Sequence, residues 1–166
     1  MDFRRIFKHL VFSNQQVRKR FPQKTLDAIE QAIKSCEAVH CGEIIFAIEG
    51  ALSGAPLYQG QTARERAIEV FAQLRVWDTE YNNGVLIYVL LADRAVEIVA
   101  DRGIHVRAGA KTWDAVCRQV EAAFEKSDFH AGVLLGIESV SNVLADHYPA
   151  GGTTANELPD TPVLLT

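Results

Sequence analysis

The chain has 166 residues, 48% of them hydrophobic and 23% charged, with a formal net charge of −4. That length buries a core without staples, and the composition excludes a collagen-like or disordered chain. No apolar run approaches the ~20 residues of a membrane span. Three cysteines (Cys36, Cys41, Cys117) are too few for a disulfide framework, which points to reduced thiols and an expected cytoplasmic location.

Charge is unevenly placed. Residues 1–24 carry seven Lys/Arg against Asp2 alone, a net of +6, and the remainder carries ten basic against twenty acidic residues, a net of −10. An acidic body disfavours binding to a phosphate backbone, so no nucleic-acid partner is expected. The opening Met1-Asp2-Phe3-Arg4-Arg5 lacks the apolar core and small-residue cleavage site of a signal peptide.

Phe3, Ile6, Phe7, Leu10 and Val11 fall at helical spacing, with Arg4, Arg5 and Lys8 mostly on other faces. Ser13-x-x-Gln16 reads as a capping box for a second short helix, which Pro22 interrupts. Residues 1–21 are thus expected to be a basic amphipathic arm, able to pack on the body, dock a protein partner or lie on an anionic membrane surface. The last of these would make the protein peripheral to the inner membrane. From Pro22 to Cys41, Leu26, Ile29, Ile33, Cys36 and Val39 form one stripe, with Gly42 as the stop.

Glu43–Glu49 (EIIFAIE) is a first strand, and 50–60, with its glycines and Pro56, reads as a surface loop. Thr62-x-x-Glu65 caps a helix carrying Ala67, Val70, Phe71 and Leu74 on one face. Val85–Leu91 is apolar on both faces, which marks a central strand. Asp93-Arg94 turns the chain into a third strand through Val96, Ile98 and Ala100. Trp113, Val116, Val120 and Phe124, then Val133, Ile137, Val140 and Leu144, define two further helices. After 148 the composition of Gly, Thr and Pro predicts a flexible tail, 149–166.

Strand, helix, strand over residues 43–91 predicts a right-handed parallel βαβ unit, and the short link at 93–94 forces an antiparallel hairpin. The expected fold is therefore α/β, a three-layer sandwich in which a small mixed sheet carries helices on both faces.

The segment WDTEYNNGVLIYVLLADRAVEIVADRG, Trp77 to Gly103, carries most information. Asn82-Asn83-Gly84 ahead of the apolar strand, with Asp93-Arg94 at the turn, resembles the TPM domain family over about residues 22–148. That family includes thylakoid-lumen photosystem-repair proteins and many bacterial relatives. The resemblance implies acid phosphatase activity in some members and accessory, non-catalytic roles in others. Many relatives also carry a signal peptide and a membrane anchor, of which this sequence shows neither. Relatives often have glycine-aromatic-glycine after the third strand, where this chain has Asp101-Arg102-Gly103.

The hairpin also makes a geometric statement. If Asp93-Arg94 is the turn, Val85 pairs with about Asp101 or Arg102, and one end of the sheet gathers Glu43, Asp78, Glu80, Asn82, Asn83 and Asp101. Carboxylates with amide oxygens suit a hard cation, so Ca²⁺ or Mg²⁺ is expected on Glu43, Asp78 and Asp101, with Asn82, Asn83 and Arg102 contacting a ligand. A cation there polarises water or clamps a phosphate, which would make any enzyme here a metal-assisted phosphatase-like hydrolase. Asn-Asn-Gly is equally an ordinary turn, since Asn and Gly tolerate positive φ. At the opposite end the 50–60 loop, with Ser53, approaches Asp93 and Arg94. Ser53-Gly54-Ala55-Pro56 matches no nucleotide-binding loop, so no nucleotide cofactor is expected. No cysteine has an arginine six positions on, and the histidines lack a partnered Ser or Cys, which leaves no nucleophile motif.

Overall fold

Glu43–Glu49 and Gly84–Leu90 are buried along their whole length, and these strands, β1 and β2, pair in parallel at the centre of a four-stranded sheet. The computed structural model describes residues 2–36, 38–151 and 156–165. Around β1 and β2 the order is α1 (Phe3–Leu10), α2 (Asn14–Arg20), α3 (Gln23–Cys36), β1, α4 (Gly54–Tyr58), α5 (Ala63–Gln73), β2, β3 (Ala95–Ala100), α6 (Arg102–Ala108), α7 (Ala110–Glu125), α8 (Phe129–His147) and β4 (Val163–Leu165). The sheet runs β3-β2-β1-β4, with β3 antiparallel to β2 and β4 parallel to β1. This is the expected α/β architecture with a mixed sheet.

Strand alternation divides the core in two. Ile44, Phe46 and Ile48 with Val85, Ile87 and Val89 meet Ile29, Ile33, Val120, Phe124, Ile137 and Val140 from α3, α7 and α8. Ile45, Ala47, Leu86 and Leu90 meet Leu57 of α4 and Ala67 and Val70 of α5 on the other face. Each such Val, Leu, Ile or Phe side chain, fully buried, contributes about 1.5–3 kcal/mol. Helices therefore cover both sides, which is why the central strands read as continuous apolar runs.

Four local expectations differ from the structure. Residues 163–165 are not a flexible tail but a strand: Ala47, Ile48 and Glu49 pair with Val163, Leu164 and Leu165. Three apolar residues after Pro162 suffice to extend the exposed side of β1; Gly152–Ala155, also within the expected tail, lie outside the described residues. The 50–60 loop contains α4, whose Leu57 is buried. The stripe helix ends at Cys36 rather than near Gly42, leaving Val39 53% exposed, and His40 forms an isolated bridge with Pro149. Hairpin register is one residue tighter than expected, Val85 opposite Ala100, with a reversal over 91–94 in which Arg94 adopts φ 54°.

The α5 face holds one polar cluster inside otherwise apolar packing. The Tyr88 hydroxyl donates to Glu49 Oε2 at 2.6 Å, and Arg66 reaches both Glu49 oxygens at 2.9 and 3.1 Å. Burial pushes the Tyr88 phenol up, and the Glu49 hydrogen bond pushes it further. Deleting one partner leaves a buried carboxylate short of donors. Arg66→Ala is expected to destabilise by about 3 kcal/mol, and Tyr88→Phe by about 1–2 kcal/mol. Urea unfolding followed by circular dichroism checks the order; equal losses would contradict it.

Candidate functional site

In open sheets the space beyond the carboxyl ends of parallel strands is the usual ligand position. Here the chain fills that space with its own arm. Asp2 caps α1, accepting from the backbone N–H groups of Arg4 and Arg5. Arg5 then forks onto Asp93, with Nε 2.9 Å and Nη2 2.8 Å from Oδ2, and Nη2 also donates to the Gln61 carbonyl. His9 is buried; its Nδ1 accepts from Leu52 N–H at 2.9 Å, so its Nε2 proton points at Asp93 Oδ1, 3.0 Å away. Burial alone would raise the Asp93 carboxyl, but the bonds from Arg5 and His9 more than offset this and hold it below the usual carboxylate range. What stays open is a shallow cleft of about 530 Å³ lined by Arg5, Ile6, Tyr58, Thr62 and Asp93.

The amino end is built differently. Gly84 opens β2 because nothing larger fits: a Cβ there would lie 2.0 Å from the Val76 carbonyl oxygen. Before it, Asn82 takes φ 52° to end the 79–83 turn, and Thr79 Oγ1 accepts from Asn83 N–H at 3.2 Å. Asn83 is fully buried and donates through Nδ2 to the Cys41 carbonyl at 2.9 Å, while its Oδ1 is buried with no partner. Across the hairpin, Asp101 N–H donates to the Gly84 carbonyl at 2.8 Å. Asp101 Oδ1 caps α6 by accepting from Arg102 N–H at 2.6 Å, and its Oδ2 is also buried without a partner. Gly103 is pressed between the Asn82 and Tyr81 carbonyls and the Tyr148 hydroxyl, 2.5–3.0 Å from where a Cβ would stand. Ile104 N–H donates to the Asn82 carbonyl at 3.3 Å, which ties the asparagine turn to α6.

Backbone bonds thus join the Asn82–Asn83–Gly84 turn to Asp101 and α6, with Arg102 exposed on the first turn of α6. Glu43 pairs with Gly84 one strand away, yet it is sealed by the C-terminal segment: its Oε1 accepts from Glu157 N–H at 3.2 Å. Burial pushes its carboxyl up despite that bond, and the charges of Glu157 and Asp160 add to the rise. Asp78 lies exposed at the start of the loop, its N–H held by the Arg75 carbonyl. Among the described residues no three His, Cys, Asp or Glu side chains form a metal-binding group. Glu43, Asp78 and Asp101 therefore do not form such a group.

Several contributors had little sequence signal. Thr79 four residues before Asn83, and Tyr148 donating to the Tyr81 carbonyl at 3.4 Å, brace the turn. His40 is buried nearby in sequence, with Nδ1 accepting from Gly42 N–H and Nε2 unpartnered, and burial pushes its pKa down. Helix α6 was legible in principle: Asp101 is a capping residue, and Ile104 and Ala108 are spaced for one face.

A family model described as "TPM domain" matches residues 17–143. The NMR structure of the BA42 protein from the psychrophilic bacterium Bizionia argentinensis is 30% identical, with a TM-score of 0.72, covering 85% of this chain and 92% of that one. The solution structure of the N-terminal domain of a P. gingivalis protein shares the fold at 16% identity and a TM-score of 0.59, covering 76% and 79%. No curated protein matches the sequence.

The Asp93 clamp predicts how the arm is held. Asp93→Asn is expected to cost about 2–3 kcal/mol of arm docking, since the bonds it loses are charge-assisted. Because the folded carboxyl lies below its ordinary value of about 3.9, the clamp is intact above that pH and is lost as pH falls through the lower folded value. Hydrogen exchange at residues 5–11 checks both statements. Equal protection in wild type and Asp93→Asn at neutral pH would refute the clamp.

Proposed function

The chain belongs to the TPM domain family, and we propose that it binds a divalent cation at the amino end of its parallel strands and, through that cation, an anionic ligand of the phosphate class. One observation carries the reading: Asn83 Oδ1 and Asp101 Oδ2, on either side of Gly84, are buried acceptors that receive no hydrogen bond. Buried oxygens without donors are costly, and an ion that accepts their lone pairs removes the cost. All available groups are hard oxygens, which suits Ca²⁺ or Mg²⁺ and not a soft metal.

In this reading Asp101 supplies the charge and Asn83 a neutral oxygen, and the Cys41 carbonyl fixes the Asn83 amide so that its oxygen faces away from that bond. Arg102, exposed beside them, is the cationic side chain that an incoming anion meets. The acidic body, −10 beyond residue 24, repels a free phosphate and attracts a cation first. Gly103 is crowded by two carbonyls and the Tyr148 hydroxyl, so no side chain can stand there. A bound divalent ion supplies Lewis acidity and a lowered water pKa, which is the chemistry a phosphatase-like activity requires. Cys117 is a poor substitute, since burial pushes its thiol up to about 12.

Thermal unfolding tests the proposal. Millimolar Ca²⁺ or Mg²⁺ is expected to raise Tm by several degrees, about 2–3 kcal/mol at a hundredfold excess over Kd. Asp101→Asn keeps an oxygen to cap α6 but removes the charge, and is expected to abolish most of that rise. No shift in the wild type, or the same shift in Asp101→Asn, would overturn the proposal.

A further inference from the structure

Helix α1 is seated the wrong way round for a helix of a water-soluble body. Its amphipathic pattern leads one to expect Phe3, Phe7 and Leu10 inside and the charged edge outside. Instead a polar edge faces in: Arg5 and His9 bind Asp93, and only Ile6 among the apolar residues is partly covered. Phe3 is 76% exposed, Phe7 66% and Leu10 62%, with Val11 at 55% beside them. Arg4 and Lys8 stand exposed along this face, and neither makes an ion pair among the described residues. Helix α2 adds exposed Arg18 and Lys19.

We propose that this outward face of α1 is a docking surface for an anionic lipid bilayer. Charge complementarity identifies the occupant. Residues 1–24 hold +6 on a body of −10, so the molecule is polarised, and a negatively charged plane attracts the arm while repelling the rest. Shape agrees with charge. Half of the circumference of α1 is taken by the Asp93 clamp, and the free half is a short apolar ridge with basic flanks. A ridge of this kind enters the shallow headgroup zone of a fluid surface, whereas a groove on a protein needs a helix it can enclose. Apolar insertion and basic attraction are the two signals that reversible membrane anchoring needs together. No helix among the described residues is long and apolar enough to cross a membrane, so the contact is peripheral. The inference is independent of the cation site, which lies at the other end of the strands.

Cosedimentation of the full chain with phosphatidylcholine vesicles, with and without phosphatidylglycerol, tests it. Binding is expected only with the anionic lipid, and it should weaken as added salt shortens the screening length. Arg4→Ala with Lys8→Ala is expected to weaken binding by about fivefold for each charge removed. Phe3→Ser with Phe7→Ser is expected to reduce it by at least about tenfold. Both pairs are exposed, so unchanged Tm and circular dichroism show that the body stays folded. Absence of vesicle binding overturns the proposal, as does binding that the Phe3/Phe7 pair leaves unchanged. So does concentration-dependent self-association through this face without vesicle binding, which would make a second copy the occupant.

Discussion

The β2–β3 hairpin sets what both ends of this molecule present. Its register puts Leu90 opposite Ala95 and Val85 opposite Ala100. One end of the hairpin therefore delivers Asp93 to the carboxyl end of the sheet, and the other delivers Asp101 to the amino end. A slip of one residue would turn every side chain of β3 to the opposite face and displace both carboxylates. The register is held from both sides, because β2 is buried on two faces and Gly84 can tolerate no side chain against Val76.

The two carboxylates meet opposite fates. Asp93 is saturated: a guanidinium and an imidazole bind it, and the arm they belong to occupies the place where open sheets usually admit ligands. Asp101 is half used, with one oxygen capping α6 and the other buried without a donor, and Asn83 beside it repeats the pattern. The unpaired carboxylate oxygen thus sits at the amino end, away from the position that topology alone favours. The clamp on Asp93 has a second consequence, since fixing α1 by its polar edge leaves its apolar edge in solvent.

Much of this was legible from residue order. The two-sided apolar run at 85–91 announced a central strand, EIIFAIE at 43–49 announced a first one, the Thr62-x-x-Glu65 box announced α5, and a short link at 93–94 allowed only an antiparallel return. Other features depend on contacts between distant residues, which local patterns do not encode. Glu43 is sealed by Glu157, 114 positions later, so its carboxyl reads as available until the C-terminal segment is placed. Val163–Leu165 gain their strand only because the flank of β1 is unpaired and receives them. The clamp on Asp93 was hidden for the same reason: amphipathicity argues that an apolar stripe turns inward, and a half-buried carboxylate 88 residues away from Arg5 reverses that preference. At the candidate site, Asn83 and Asp101 were legible as types suited to a cation. Their unpaired oxygens were not, because pairing is a property of the folded neighbourhood.

A two-dimensional amide NMR titration with Ca²⁺ tests most directly whether the free binding capacity lies at the amino end. The account predicts saturable shifts confined to residues 82–85 and 101–104, with the 91–94 reversal and the arm unmoved. Shifts centred on Asp93 and residues 5–11, or no saturable shift at either end, would contradict it.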